Sequence, residues 1–185
     1  MLKSGVRIIA FEDSPILKGR KDVLVVGVIG RQDIIEGVLS FRAIVDGNDA
    51  TSKLARAVKR SRFAGQIRLL TLNGITVAGL NIIDMAKLNR SLGIPVLAIT
   101  RQKPNPSKLM EAVRHHSGKD SAKKIAVIKR TKEAMLLLKR SGHYFQCVGI
   151  EKKDLANFAD LSVSLLRLGH IIASGVTSGE SHGRM

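Results

Sequence analysis

Three apolar runs precede the first helical pattern in this chain, and that ordering limits the fold more than any other feature. Val6–Phe11, Val23–Arg31 and Ile34–Val45 are rich in Val and Ile, as strands are. The joins between them are too short for crossover helices, so the three are expected to form an antiparallel meander. The run "VLVVGVIGR" is nearly continuous and β-branched, which suits a strand covered on both faces.

The period then changes. In "DATSKLARAVKRSRF" Leu54, Ala57 and Val58 share one face and basic residues the other, with Asp49 or Thr51 available as caps. Ile67–Leu72 and Pro95–Thr100 read as strands on either side of a helix at Asn81–Ser91, and Gly93 and Pro95 mark that helix's end. A Pro-rich turn, "KPNPS", leads to a helix through about His116. Farther on, "KIAVI" reads as a strand, "TKEAMLLLKRSG" as a helix ended by Gly142, and "YFQCVGI" as a strand. Asp154 is expected to cap a helix to about Ser162, and "SLLRLGHIIASG" to form the last helix. Residues 1–177 are expected to make one domain and 178–185 a tail, with no internal repeat. Three meander strands followed by helix, strand, helix, strand is the ribonuclease-H-like order: an α/β fold with a mixed sheet and helices on both faces. A Rossmann arrangement would alternate from the start and carry G-x-G-x-x-G after its first strand, which is missing.

Composition matters here through charge. The chain has 31 Lys+Arg against 15 Asp+Glu, a net +16, which favours a polyanionic partner such as nucleic acid. The excess is uneven: residues 50–83 contain six basic residues (Lys53, Arg56, Lys59, Arg60, Arg62, Arg68) and no acid. With Arg101, Lys103 and Arg167, all but the last of these six are the candidate contacts to nucleic acid. Aromatics are only 3%, so stacking platforms for single strands are not expected. Cys147 is alone, which leaves no disulfide framework and no Cys-based zinc site. No apolar run reaches the length of a membrane span, and the expected location is the cytoplasm, with no membrane partner. The oligomeric state is not readable. Walker A, a Ser elbow and CxxC are missing.

In a sheet of this order the first and fourth strands lie side by side and end near Glu12–Asp13 and Asn73. Carboxylates meeting there can hold Mg²⁺ or Mn²⁺ for phosphodiester chemistry. Glu12 and Asp13 are adjacent, so in extended chain they point to opposite faces and one of them enters the site. Asp46 and Asp49 in "VDGNDAT" offer a second carboxylate at a helix start, or only a turn and a cap. "EDSP" and Asn73-Gly74 likewise suit turns. His170 lies three residues from Arg167, on the same side of a helix, and can orient water or move protons. His115 and His116 precede Gly118 at a helix end, where the helix dipole is reason enough for them.

"AFEDSP", "VDGNDAT", "NGITVAGLNIID", "GIPVLAITRQKP" and "LRLGHIIASG…GES" together resemble an archaeal protein family of unknown function. That family is similar to endonuclease V, a metal-dependent nuclease of ribonuclease-H-like fold that cleaves near deaminated purines. The resemblance implies that Glu12, with Asp13 beside it, stands where the nuclease has its first-strand Asp. Its helix-opening Glu falls on Asp49, or on Ala43 if "FRA" is aligned literally. Its fourth-strand Asp falls on Asn73, so one metal-binding charge is missing. Its late Arg and His fall on Arg167 and His170, and its base-probing wedge is matched only by "IEG". The implied metal ligands are Glu12, Asp13 and Asp49, with Asn73 and His170 assisting. The function expected is nucleic-acid binding on an endonuclease-V-like fold, with Mg²⁺-dependent cleavage of DNA or RNA. The alternatives are a non-catalytic binder with a degenerate metal site, or a nucleotide- or phosphate-processing protein using the same cleft.

Overall fold

The computed structural model describes residues 5–134 and 136–181. Its elements are β1 (Arg7–Asp13), β2 (Asp22–Arg31), β3 (Ile34–Ile44), α1 (Ala50–Arg60), β4 (Ile67–Asn73), β5 (Thr76–Val77), β6 (Asn81–Ile82), α2 (Met85–Leu92), β7 (Val96–Thr100), α3 (Pro106–His116), α4 (Ser121–Ala134), β8 (Leu136–Arg140), β9 (His143–Val148), α5 (Lys152–Leu155) and α6 (Ala159–Ser178). Seven strands form one sheet in the order β3-β2-β1-β4-β7-β9-β8. As expected, β1, β2 and β3 are an antiparallel meander and β4 runs parallel beside β1. β7 is parallel to β4, and β9 returns antiparallel to β7.

The sheet divides two apolar layers. Ile9, Phe11, Leu70 and Leu72 pack with Leu54 and Val58 of α1 and Met85 and Leu88 of α2. Ile8, Ala10, Leu69 and Leu97 pack on the other face with Leu165, Leu166 and Ala173 of α6. Strict alternation along β1 is what sends neighbouring residues into different layers. Gly27 of β2 lies over the Phe11 ring, where a Cβ would come 2.3 Å from Cε1. α6 is long and apolar enough in composition to cross a membrane, but here its apolar stripe covers the sheet.

Four expectations are corrected. "KIAVI" is helical, inside α4, because Lys124, Ile128 and Thr131 are buried at helical spacing. The expected helix after it splits: α4 ends at Ala134 and Leu136–Arg140 is a strand. A hairpin turn with Ser141 at φ 48° and Gly142 at φ 76° then reverses the chain, as a primed two-residue turn requires. α2 begins at Met85 with Asp84 as its N-cap, and Asn81–Ile82 pairs as β6 instead. Asp154 sits within α5 rather than capping it. Residues 1–4, Met135 and residues 182–185, parts of the expected domain, helix and tail, lie outside the described residues.

Candidate active site and basic surface

Parallel pairing of Ala10 with Thr71 and Phe11 with Leu72 carries Glu12 and Asn73 to the ends of β1 and β4 side by side. Asn73 Nδ2 donates to Glu12 Oε1 at 2.9 Å. From the covering helix, His170 Nδ1 lies 3.7 Å from the same oxygen. α6 comes this close because residue 169 is Gly: a Cβ there would stand 3.2 Å from the Glu12 Cβ. Glu12 is 5% exposed and its Oε2 has no hydrogen-bond partner among the described residues. Burial, helped by the nearby Asp13 charge and opposed by the Asn73 bond, pushes its pKa up to about 8. A carboxyl so placed is short of positive charge.

Asp13 projects into the other layer, where its Oδ2 accepts from Ala78 N at 2.7 Å. Burial raises its pKa as well, against that bond. Ala78 has φ 50°, an uncommon conformation for a side-chain-bearing residue. A second set of bonds fixes it: Asp46 N donates to Ala78 O at 2.8 Å, and Asp46 Oδ1 accepts from Leu80 N at 2.7 Å. Asp46 is held in turn by the buried Lys124, whose Nζ donates to its carbonyl at 2.6 Å and to Ser117 Oγ at 3.2 Å. Burial lowers the Lys124 pKa, with Asp46 and Asp120 acting against the shift. Lys124 is not legible as a core residue in the sequence, because a Lys in a basic stretch reads as solvated.

Asp49 is engaged elsewhere. Its carboxylate accepts from Asn81 Nδ2 at 2.6 Å, from Lys53 Nζ at 2.7 Å and, at longer range, from Ile44 N. Burial would raise its pKa, but the Lys53 and Asn81 bonds outweigh it and hold the carboxyl below its ordinary range. Among the described residues no three His, Cys, Asp or Glu side chains gather as a metal cage. A cavity of about 10 Å³ is lined by Glu12, Asp13 and Asn73, with Asp49 outside it. That volume admits roughly one water-sized body. The cavity's apolar lining (Phe11, Leu54, Leu72, Val77, Ile83) belongs to the α1 and α2 layer, on Asp13's side, while the Glu12 carboxyl faces Asn73 and His170. An ion beside the orphaned Glu12 oxygen would have that one carboxylate and be completed by substrate phosphates, within the habit of Mg²⁺.

Of the candidate nucleic-acid contacts, Arg56, Lys59, Arg60, Arg62, Arg101, Lys103 and Arg167 are exposed. Lys53 is committed to Asp49 and the Arg42 carbonyl. Arg62 lies 4.8 Å above the Phe63 ring. Arg56, Lys59 and Arg60 line a groove between α1 and α2 together with Lys87. Lys87 also lines the adjoining cavity of about 300 Å³ with Lys123 and Arg130. Sequence reasoning does not find these last three, since they are far apart in the chain and converge only when α2 and α4 pack.

The family model described as endonuclease dU matches residues 4–177. A UPF0215 protein of Methanothermobacter thermautotrophicus is 35% identical over 98% of this chain and 93% of its own length. One from Thermococcus kodakarensis is 34% identical over 97% and 96%. A protein of unknown function from Archaeoglobus fulgidus has a crystal structure that superposes with a TM-score of 0.80, at 26% identity, over 92% of this chain and 98% of that one. Human endonuclease V superposes with a TM-score of 0.52 at 10% identity, over 91% of this chain and 83% of that one, which shows the shared endonuclease-V-like fold. With the family model spanning almost the whole chain, this protein belongs to the endonuclease dU family.

Proposed function

We propose that the protein is a metal-dependent endonuclease that cuts DNA strands at or near deaminated bases. The observation that carries this reading is the buried Glu12 carboxyl at the end of β1, with one oxygen held by Asn73 and the other without a partner among the described residues. The family's name points to an endonuclease and to deoxyuridine, and the basic groove suits a polyanionic strand. Glu12 Oε2 would hold Mg²⁺ or Mn²⁺, with the Asn73 amide beside it and substrate phosphates completing the shell. Such an ion, when bound, supplies Lewis-acid polarisation of a phosphodiester. Asn73 fixes the Glu12 carboxyl through its amide hydrogen bond. His170, half-buried and 3.7 Å from that carboxyl, can accept a proton from water as the water turns toward phosphorus. Arg56, Lys59, Arg60 and Lys87 would hold phosphates of the flanking strand.

One arrangement favours a second reading, a binder without catalysis. Asp49 is already consumed by Lys53 and Asn81, and Asn73 brings no charge. Calorimetry with Mn²⁺ separates the two. The wild-type protein is expected to bind Mn²⁺ and Asn73→Asp to bind it more tightly, because a second carboxylate joins that of Glu12. Incision of uracil-containing DNA should appear with Mn²⁺ and vanish in Glu12→Gln. Absence of Mn²⁺ binding in both proteins would leave only the binder.

A further inference from the structure

We propose that the cavity between α1, α2 and α4 is a pocket for a phosphate monoester, the doubly charged end of a nucleic-acid strand. The inference deepens the reading above and rests on its nucleic-acid partner, not on cleavage.

The cavity measures about 300 Å³ and includes Thr51 and Ser52 from the first turn of α1. α2 contributes Lys87, and α4 contributes Lys123, Lys124 and Arg130. Asp84 is the one acid in the lining, and it is already engaged. Its Oδ2 accepts from Arg130 Nη2 at 3.1 Å and its Oδ1 from Lys87 N at 2.9 Å. Lys124 is buried, donates to the Asp46 carbonyl and to Ser117 Oγ, and has the Asp46 and Asp120 charges near it. Lys87 and Lys123 are exposed, and neither makes an ion pair among the described residues. α1 adds to the excess, since its first turn holds no acidic residue and Asp49 makes no side-chain cap bond. Unpaired ammonium groups around a concave site concentrate an anion there.

Its place in the fold points to a strand end. The groove lined by Arg56, Lys59 and Arg60 shares Thr51, Ser52 and Lys87 with this cavity. A strand laid along that groove runs into the cavity, where α4 stands across its path. Ile82, in the lining, packs with Val113 and Ile128 behind it, which closes the floor. An internal phosphodiester has one charge and a chain leaving on both sides, which a closed pocket does not admit. A monoester carries a charge of about −1.5 to −2 at neutral pH and has a chain on one side only. The volume lies at the lower limit of small-ligand pockets, enough for one terminal nucleotide. A free nucleotide carries the same monoester, so the two sources are separated by competition.

The test measures binding by fluorescence anisotropy in EDTA at fixed salt, so that no strand is cut. An internally labelled DNA strand carries a phosphate at one end, at the other end, or at neither. One of the two phosphorylated strands should bind roughly tenfold more tightly than the hydroxyl-ended strand, the scale of a charge-assisted contact. Lys123→Ala should remove most of that preference. Ala126→Trp, at an exposed position of the lining, fills the cavity without changing charge and should remove all of it. Both variants should bind the hydroxyl-ended strand within about twofold of wild type, because exposed charges outside direct contact act weakly. Thermal melting verifies that both are folded. A nucleoside monophosphate that competes as well as the phosphorylated strand, and only in the wild type, would retain the pocket and make the nucleotide its ligand. Equal affinity of the wild type for all three strands would overturn the inference, as would a folded Ala126→Trp that keeps the preference. A protein that holds phosphorylated ends but does not incise uracil-containing DNA with Mn²⁺ keeps this pocket and loses the nuclease reading. One that incises without any end preference does the reverse.

Discussion

Glu12 concentrates the electrostatics of the site in one side chain. Its pKa rises in the folded chain from an ordinary 4.5 to about 8, chiefly through burial. Between those values the folded protein keeps a proton that the unfolded chain has released, so stability falls as pH rises. The metal-free protein, held in chelator, is therefore expected to lose a few kcal/mol between about pH 4.5 and pH 8. Denaturant midpoints across that window measure the loss. Glu12→Gln should flatten the slope and be the more stable protein at pH 8. An unchanged slope in the variant would assign the loss to another group. Glu36 contributes with the opposite sign: its pKa is lowered by its hydrogen bond with Arg7, so its stabilisation is lost as pH falls through its folded value.

At the scale of elements, the corner between β3 and α1 is fastened from outside either one. Asn81 is fully buried; its Oδ1 accepts from Ala50 N at 3.2 Å, and its Nδ2 donates to the Ile44 carbonyl at 3.0 Å and to Asp49. It thus satisfies a helix-opening N–H that Asp49, turned toward Ile44, Lys53 and Asn81, does not. Asn81→Ala should cost about 2–3 kcal/mol, because buried backbone groups are left without partners. The urea midpoint should drop with an unchanged slope, and a loss under half a kcal/mol would mean water replaces the amide. The start of α1 is legible from "DGNDAT"; the residue that caps it, more than thirty positions away, is not. α4 shows the same limit. "KIAVI" is equally apolar as strand or helix, and only the burial of Lys124, Ile128 and Thr131 on one side distinguishes them.

The whole molecule combines a net charge of +16 with a basic groove that runs across α1 and α2 and continues to α4. Affinity for DNA should fall linearly with the logarithm of salt concentration, with little dependence on sequence in undamaged strands. Replacing Arg56 and Lys59 by Ala should reduce the slope by up to about two, one for each phosphate no longer neutralised. A slope that stays the same in the double variant would move the strand to another face. The order β1, β2, β3, α1, β4, α2, β7 was set by the sequence, the short β5–β6 pair excepted, because period-2 and period-3.6 patterns are local and the joins are too short for other connections. The nearness of Glu12 to Asn73 followed from that order. Tertiary packing decided the rest: that Asp49 turns to Asn81 and Lys53, that Lys124 is buried, and that Lys87, Lys123 and Arg130 converge. Each depends on residues distant in the chain coming together, where a residue's own type and spacing carry no record of what will meet it.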